Sequence, residues 1–232
     1  MLRDLAVANL VLSALLASWS VVDMQKRPPA MAVMKWVWPL TFLWGGLLAL
    51  AMYLWFGRAP AGVGSGDGDP HGHPHGHGHG GRVFWQSVAL GATHCGAGCT
   101  LADVLVESAM FLLGLRLVVW GHDVFGTWMV DYIVALVIGV IFQYAAQAPM
   151  SDAPRARVLW NSFRSDVLSL TSWQIGMYGW MAICIFILFP VGEMRPDHWM
   201  FWWMMQVAML CGFLTAYPAN WVLIRLGVKE AM

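Results

Sequence analysis

Between Phe84 and Val119 the chain reads FWQSVALGATHCGAGCTLADVLVESAMFLLGLRLVV, and the number of times this stretch crosses a bilayer decides the fold. As one straight helix at 1.5 Å per residue it would reach about 54 Å, nearly twice a hydrocarbon core of about 30 Å. Two full crossings with a turn between them need more residues than are present. The segment therefore crosses once, either as a long helix with an interfacial extension or as a helix broken at Gly96-Ala97-Gly98.

The rest of the chain supports a membrane reading. Of its 232 residues 59% are hydrophobic and 11% charged, mean hydropathy is +0.61, and thirteen basic residues balance thirteen acidic ones. Globular domains carry about a quarter charged residues, so a soluble surface cannot be covered, and a balanced charge leaves no basic field for nucleic acid. Leu5 to Val22 is the first span, since no small-residue cleavage site precedes Asp23-Met24-Gln25-Lys26-Arg27. Trp36 to Phe56 is the second, with Trp36, Trp38, Tyr53 and Trp55 at its ends, and Phe84 onward is the third. Trp128 to Ala148, Val167 to Phe189 and Trp199 to Leu226 complete the set. The expected fold is all-α, a polytopic bundle of about six transmembrane helices. It divides into an N-terminal two-helix segment (1–56), a His/Gly-rich loop (57–82) and a four-helix membrane domain (83–232). Six crossings would put both termini on one face. Eight Lys and Arg on that face against five on the other place the termini and the His-rich loop in the cytoplasm, in a bacterial inner membrane.

Chemistry concentrates in the third span. Cys95, Cys99, Asp103 and Glu107 recur every four residues, a spacing that stacks side chains along one helix face. With the adjacent His94 they form a polar stripe where each ionisable group costs about 2.5–3.5 kcal/mol on insertion scales. Thiolate and imidazole favour copper(I) or zinc over calcium and magnesium, and the carboxylates can carry protons or give a cation a second stop. The order His-Cys-x-x-x-Cys is neither a c-haem attachment nor a Cys-x-x-Cys redox motif. A disulfide between Cys95 and Cys99 requires the glycines to break the helix. Against these readings stands plain packing: Gly91, Ala92, Gly96, Ala97 and Gly98 make a small-residue surface, and cysteine is a common buried packer.

Weaker signals lie elsewhere. Met177, Met181 and Cys184 share a face with Gln174 in the fifth span, a pattern read first as packing. Asp131, Gln143, Gln147 and Asp166 suit either a polar interior or, for the two aspartates, the headgroup region. His71, His73, His75, His77 and His79 alternate with Gly and Pro in the loop, a composition that builds no core and can capture metal weakly.

The stretch H-C-G-A-G-C at His94 to Cys99 resembles a bacterial and archaeal family of integral membrane proteins described only as a domain of unknown function. Further likeness lies in W-V-W-P-L at Trp36 to Leu40, I-F-Q-Y-A at Ile141 to Ala145, D-V-L-S-L-T-S-W-Q-I-G-M-Y-G-W at Asp166 to Trp180, and Y-P-A-N-W-V-L-I-R-L-G-V-K-E-A-M at Tyr217 to Met232. The resemblance covers nearly the whole chain, with the His-rich loop as a variable segment and Ala102 standing where relatives often have Gly. It implies a fold and highlights residues without implying an activity.

The leading expectation is a membrane protein that binds and moves a soft or borderline transition metal, copper(I) ahead of zinc, through His94, Cys95, Cys99, Asp103 and Glu107, rather than an enzyme. A thiol-redox or assembly factor and a structural subunit are the alternatives. The expected partners are the bilayer and the metal ion, with a homo-oligomer or larger membrane complex left open. Because the loop buries nothing, deleting residues 65–80 should leave the thermal midpoint of the purified protein within a few degrees of wild type; loss of the folded protein would show that the loop is structural.

Overall fold

Six apolar runs become six helices, and the breaks between them fall at prolines and glycines. The computed structural model describes residues 2–29, 31–59, 83–148, 151, 153–189 and 194–229. Among these the helices are α1 (Leu2–Lys26), α2 (Met34–Met52), α3 (Phe84–Leu112), α4 (Asp123–Gln147), α5 (Arg155–Ile183) and α6 (Trp199–Arg225), with no strand. Single π turns extend α2 over Tyr53–Gly57 and α5 over Cys184–Leu188. All six helices are long and apolar enough to cross a membrane, so the expected all-α bundle holds. The five histidines of the loop, His71 to His79, lie outside the described residues.

α3 is continuous over 29 residues, so the break considered at Gly96–Gly98 does not occur. The interfacial extension to Val119 does not form either. Leu113 closes the helix and Gly114 follows with φ +64°, the left-handed conformation in which glycine commonly stops a helix. The loop beyond presents Leu115, Leu117, Val118 and Trp120 to the surroundings, an apolar strip suited to the bilayer interface. α5 starts at Arg155, twelve residues before the Val167 expected, because Pro154 sits at its N-cap and the polar turns that follow still propagate as helix.

The main departure is α2. Gly46 has φ 48° and ψ −120°, far from helical values, and the chain doubles back there. Ring contacts prove the reversal: the Tyr53 ring lies 5.0 Å from Trp38 and 5.7 Å from Phe42. A straight helix would hold Trp38 and Tyr53 about 22 Å apart. Two half-helices, 34–45 and 47–57, thus enter and leave by one face, with the tip at mid-depth beside Ser13 of α1. The Leu43 carbonyl next to the tip accepts a hydrogen bond from Gln206 Nε2 (2.6 Å), and Gln206 Oε1 accepts one from Asn9 Nδ2 (2.8 Å). At the face itself Asp23, at the end of α1, takes hydrogen bonds from Tyr53 and Arg58 (2.9 Å each).

Five helices therefore cross end to end and α2 is re-entrant. This corrects the expectation that both termini share a face. The end of α1, both ends of α2, the start of α3 and the end of α6 gather on one side, tied by Trp55 and Phe56 against Trp85 and by Phe84 against Trp221. The Leu2 end of α1 lies with the 113–122 loop and the start of α6 on the other. α3 sits at the centre, every residue from Ser87 to Thr100 buried, packed on α2, α4, α5 and α6. Its approach to α4 is closest where Gly98 faces Gly139, the small-residue contact that the glycines of α3 suggested. Epitopes joined ahead of Leu2 and after Met232 should be reached by protease from opposite faces of sealed membranes; digestion of both from one face would refute the fold-back of α2.

Candidate functional site

The four-residue repeat of α3 becomes a line of buried side chains, in steps of about 6 Å that total about 18 Å from Cys95 to Glu107. No single ion can touch both ends. Among the described residues no group of three or more His, Cys, Asp and Glu side chains converges so as to hold a metal; the stripe is a succession of stations.

The first station is Cys95. Its Sγ lies 2.8 Å from Ser169 Oγ and 3.6 Å from Asp166 Oδ1, both on α5. Lys229 Nζ approaches to 3.4 Å from the segment after α6. Asp166 is buried, its carboxylate seated over the bare Cα of Gly139, so it belongs to the interior rather than the headgroup region. One turn on, Cys99 is fully buried and free.

The third station is a pair of carboxyl groups. Asp103 of α3 and Asp131 of α4 face each other close enough to share a proton, and both are buried. Tyr178 of α5 donates to Asp131 Oδ2 at 2.8 Å. Asp103 Oδ2 and Asp131 Oδ1 find no nitrogen or hydroxyl donor among the described residues, nor does the Gln174 amide find a partner. Two carboxyl groups held together away from water require a proton or a cation between them. Asp103 also lines a cavity of about 190 Å³ under the tip of the α2 hairpin, with Leu43, Trp44, Thr100 and Gln206. The last station, Glu107, forms the floor of a cavity of about 340 Å³ that opens between the 113–122 loop and Arg195.

His94 is placed elsewhere. A one-residue step turns about 100° around the helix, and its buried imidazole meets the edge of Phe142 on α4, centroids 5.9 Å apart. Neither ring nitrogen has a hydrogen-bond partner among the described residues. Met177, Met181 and Cys184 of α5 lie in the same buried cluster as Cys95 and Cys99, joined by Met200, Met204, Met205 and Met209 of α6.

Lys229, Ser169 and Asn220 were not singled out as site residues in the sequence. Lys229 reads as a flanking charge. On α5, however, Ser162, Asp166 and Ser169 recur at three- and four-residue spacing, all buried, a polar face that facing the α3 stripe would have revealed.

A family model described as "Domain of unknown function (DUF4396)" matches residues 84–229, and the chain belongs to that family. The matched region starts with α3 and ends on Lys229, so it holds every station of the line. No curated protein and no solved structure matches the chain. The Tyr178 hydroxyl donates to the buried Asp131, so Tyr178→Phe should destabilise the detergent-solubilised protein by about 1–3 kcal/mol, the cost of leaving a buried polar group unpaired. Tyr132→Phe, which breaks an exposed contact to Thr171, should cost less than half as much; equal thermal midpoints for the two variants would remove Tyr178 from the site.

Proposed function

We propose that this membrane protein carries a soft transition metal ion, copper(I) ahead of zinc, along the α3 line. Cys95 and Cys99 are the soft ligands; Asp103, Asp131 and Glu107 are the hard end, taking protons or passing the ion on. The observation that carries this reading is the pooling of sulfur: two cysteines of α3 share one buried cluster with Met177, Met181, Cys184 and the α6 methionines. Thiolate and thioether select copper(I) among the common first-row ions. Weak successive sites, rather than one closed cage, suit passage.

The re-entrant α2 favours transport over storage. Non-helical backbone at membrane depth is tolerated where it is buried in protein or lines a cavity, and interrupted helices commonly mark transporter sites at mid-membrane. Here the interruption abuts the cavity that Asp103 lines. His94, one step off the line with free ring nitrogens, is a flanking imidazole. His71, His73, His75, His77 and His79, whose composition suits weak metal capture, would serve as a capture segment.

Orientation follows from charge. With α2 re-entrant, the face that carries the end of α6 bears Lys26, Arg27, Lys35, Arg58, Arg155, Arg157, Arg164, Arg225 and Lys229. The opposite face bears only Arg3, Arg116 and Arg195 among the described residues. Nine against three supports a reading in which the Lys229 face is cytoplasmic, in a bacterial inner membrane, with the Leu2 end outside. The Cys95 end of the line is then cytoplasmic and the Glu107 cavity external.

Purified protein titrated with silver(I), a copper(I) surrogate that needs no reductant, should bind stoichiometrically. Cys95→Ser with Cys99→Ser should lose at least a hundredfold in affinity while keeping the fold, since serine preserves size but not the soft thiolate. Asp103→Asn should bind as wild type yet slow metal movement into proteoliposomes about tenfold. Undiminished binding by the double serine variant, or no binding by wild type, would overturn the carrier reading.

A further inference from the structure

The segment after α6 does something that a loop on a membrane face has no need to do: it buries a lysine. Gly227 takes φ +67° and ends the helix, and the amides of Val228 and Lys229 both return to the Leu223 carbonyl at 3.0 and 3.2 Å. This turn aims the Lys229 side chain inward, between α3, α5 and α6, where it is 2% exposed. Its Nζ meets four acceptors: Asn220 Oδ1 at 2.7 Å, Gly91 O at 3.2 Å, Ser169 Oγ at 3.3 Å and Cys95 Sγ at 3.4 Å. An ammonium has three protons, so the cage offers one acceptor more than lysine can use.

The cage is held in an accepting orientation by bonds behind it. Asn220 Nδ2 donates to Ala216 O at 2.8 Å, which fixes the amide with its oxygen toward Nζ. The Ser169 hydroxyl donates to Asn220 Oδ1 at 2.9 Å, leaving its lone pairs for Lys229 and Cys95. Behind Cys95 stands Asp166, whose Oδ2 has no hydrogen-bond partner among the described residues. Three neutral oxygens, one sulfur and a carboxylate one contact away form an environment for a single positive charge. Moving a charge out of water is costly unless its surroundings compensate; here they do.

We propose that this cage is a binding site for a monovalent cation at the Cys95 end of the α3 line, and that Lys229 is its tethered, displaceable occupant. An incoming ion replaces one positive charge by another, so the buried carboxylate never faces the interior uncompensated. Withdrawal of Lys229 needs only reversal of the turn at Gly227, with no helix displaced. The identity of the competing ion as copper(I) rests on the carrier reading above; the existence of the cage does not.

The two can be tested apart. In Lys229→Ala the vacated cage should accept methylammonium, a small cation with the same three donors. Methylammonium chloride should therefore raise the thermal midpoint of the variant by several degrees, saturably, while leaving wild type unmoved. Tetramethylammonium chloride at equal ionic strength has no N–H donor and should do neither. Silver(I) should bind Lys229→Ala at least tenfold more tightly than wild type, and methylammonium should weaken that binding. A methylammonium effect with no silver binding by any protein supports the cage and refutes the metal carrier. Silver binding that depends on Cys95 and Cys99 but is unchanged in Lys229→Ala, with no methylammonium effect, keeps the carrier and refutes the cage. A Lys229→Ala protein that fails to fold with or without methylammonium refutes it too, because a displaceable occupant must be dispensable to the fold.

Discussion

Polar groups cannot face lipid unattended, and α3 carries two thiols, two carboxyl groups and an imidazole within fourteen residues. Each is expensive in hydrocarbon, so the helix that bears them must be wrapped by protein. That constraint arranges the rest. α3 is buried all round from Ser87 to Thr100, whereas α1 leaves most of its length exposed and most of α4 is no more than half-buried. Close wrapping requires small residues at the crossings. Gly98 meets Gly139 backbone to backbone, and Gly96 accepts the face of Trp173. The glycines that first suggested mere packing and the thiols that suggested chemistry thus belong to one arrangement, in which the first allow the second to be enclosed.

The doubled α2 answers the same constraint in another way. A straight sixth crossing would have covered α3 with a plain apolar surface. The hairpin instead brings interrupted backbone to mid-depth, where Gln206, itself held by Asn9, satisfies the Leu43 carbonyl and where Asp103 borders a small cavity. Trp44 at the tip packs edge-on against Trp173 and tilted against Phe213, so the hairpin is bound into the same core as Cys95 and Cys99. Aromatic anchors of this kind bury large areas in fixed geometry, which suits an element that must hold a strained glycine in place.

Composition and spacing made the helices and the stripe legible, because hydropathy over twenty residues and a four-residue repeat are local properties. The path of α2 was not legible. Trp36 to Phe56 has the length and apolarity of a full span; the Gly46 backbone angles and the ring contacts across the bend reveal the reversal. The charge count had already hinted at trouble. Among the described residues the six-crossing reading gives seven against five, a weak bias, and it becomes nine against three once α2 is allowed to re-enter. His94 was grouped with Cys95 because the two are adjacent in sequence, but adjacency on a helix is a 100° rotation, and the imidazole faces α4. Lys229 was hidden for the opposite reason. It is adjacent to nothing in the stripe, and the turn at Gly227 that delivers it is a tertiary fact.

The two ends of the α3 line differ in a way that bears on direction. At the Glu107 end a cavity reaches the line from outside the bundle, bordered by Arg116 and Arg195 as well as by Asp123. At the Cys95 end the way is filled by the side chain of Lys229, whose Nζ meets Asn220, Gly91, Ser169 and Cys95. One end is open and the other closed. The order of chemistry along the line runs with that geometry: hard oxygen groups border the open cavity and soft sulfur lies at the closed end. A cation that left by the carboxyl end would give up thiolate for carboxylate, an exchange unfavourable to copper(I) unless a proton or a fresh charge drives it. On the carrier reading, the facing Asp103–Asp131 pair is the place along the line where a cation and a proton would exchange.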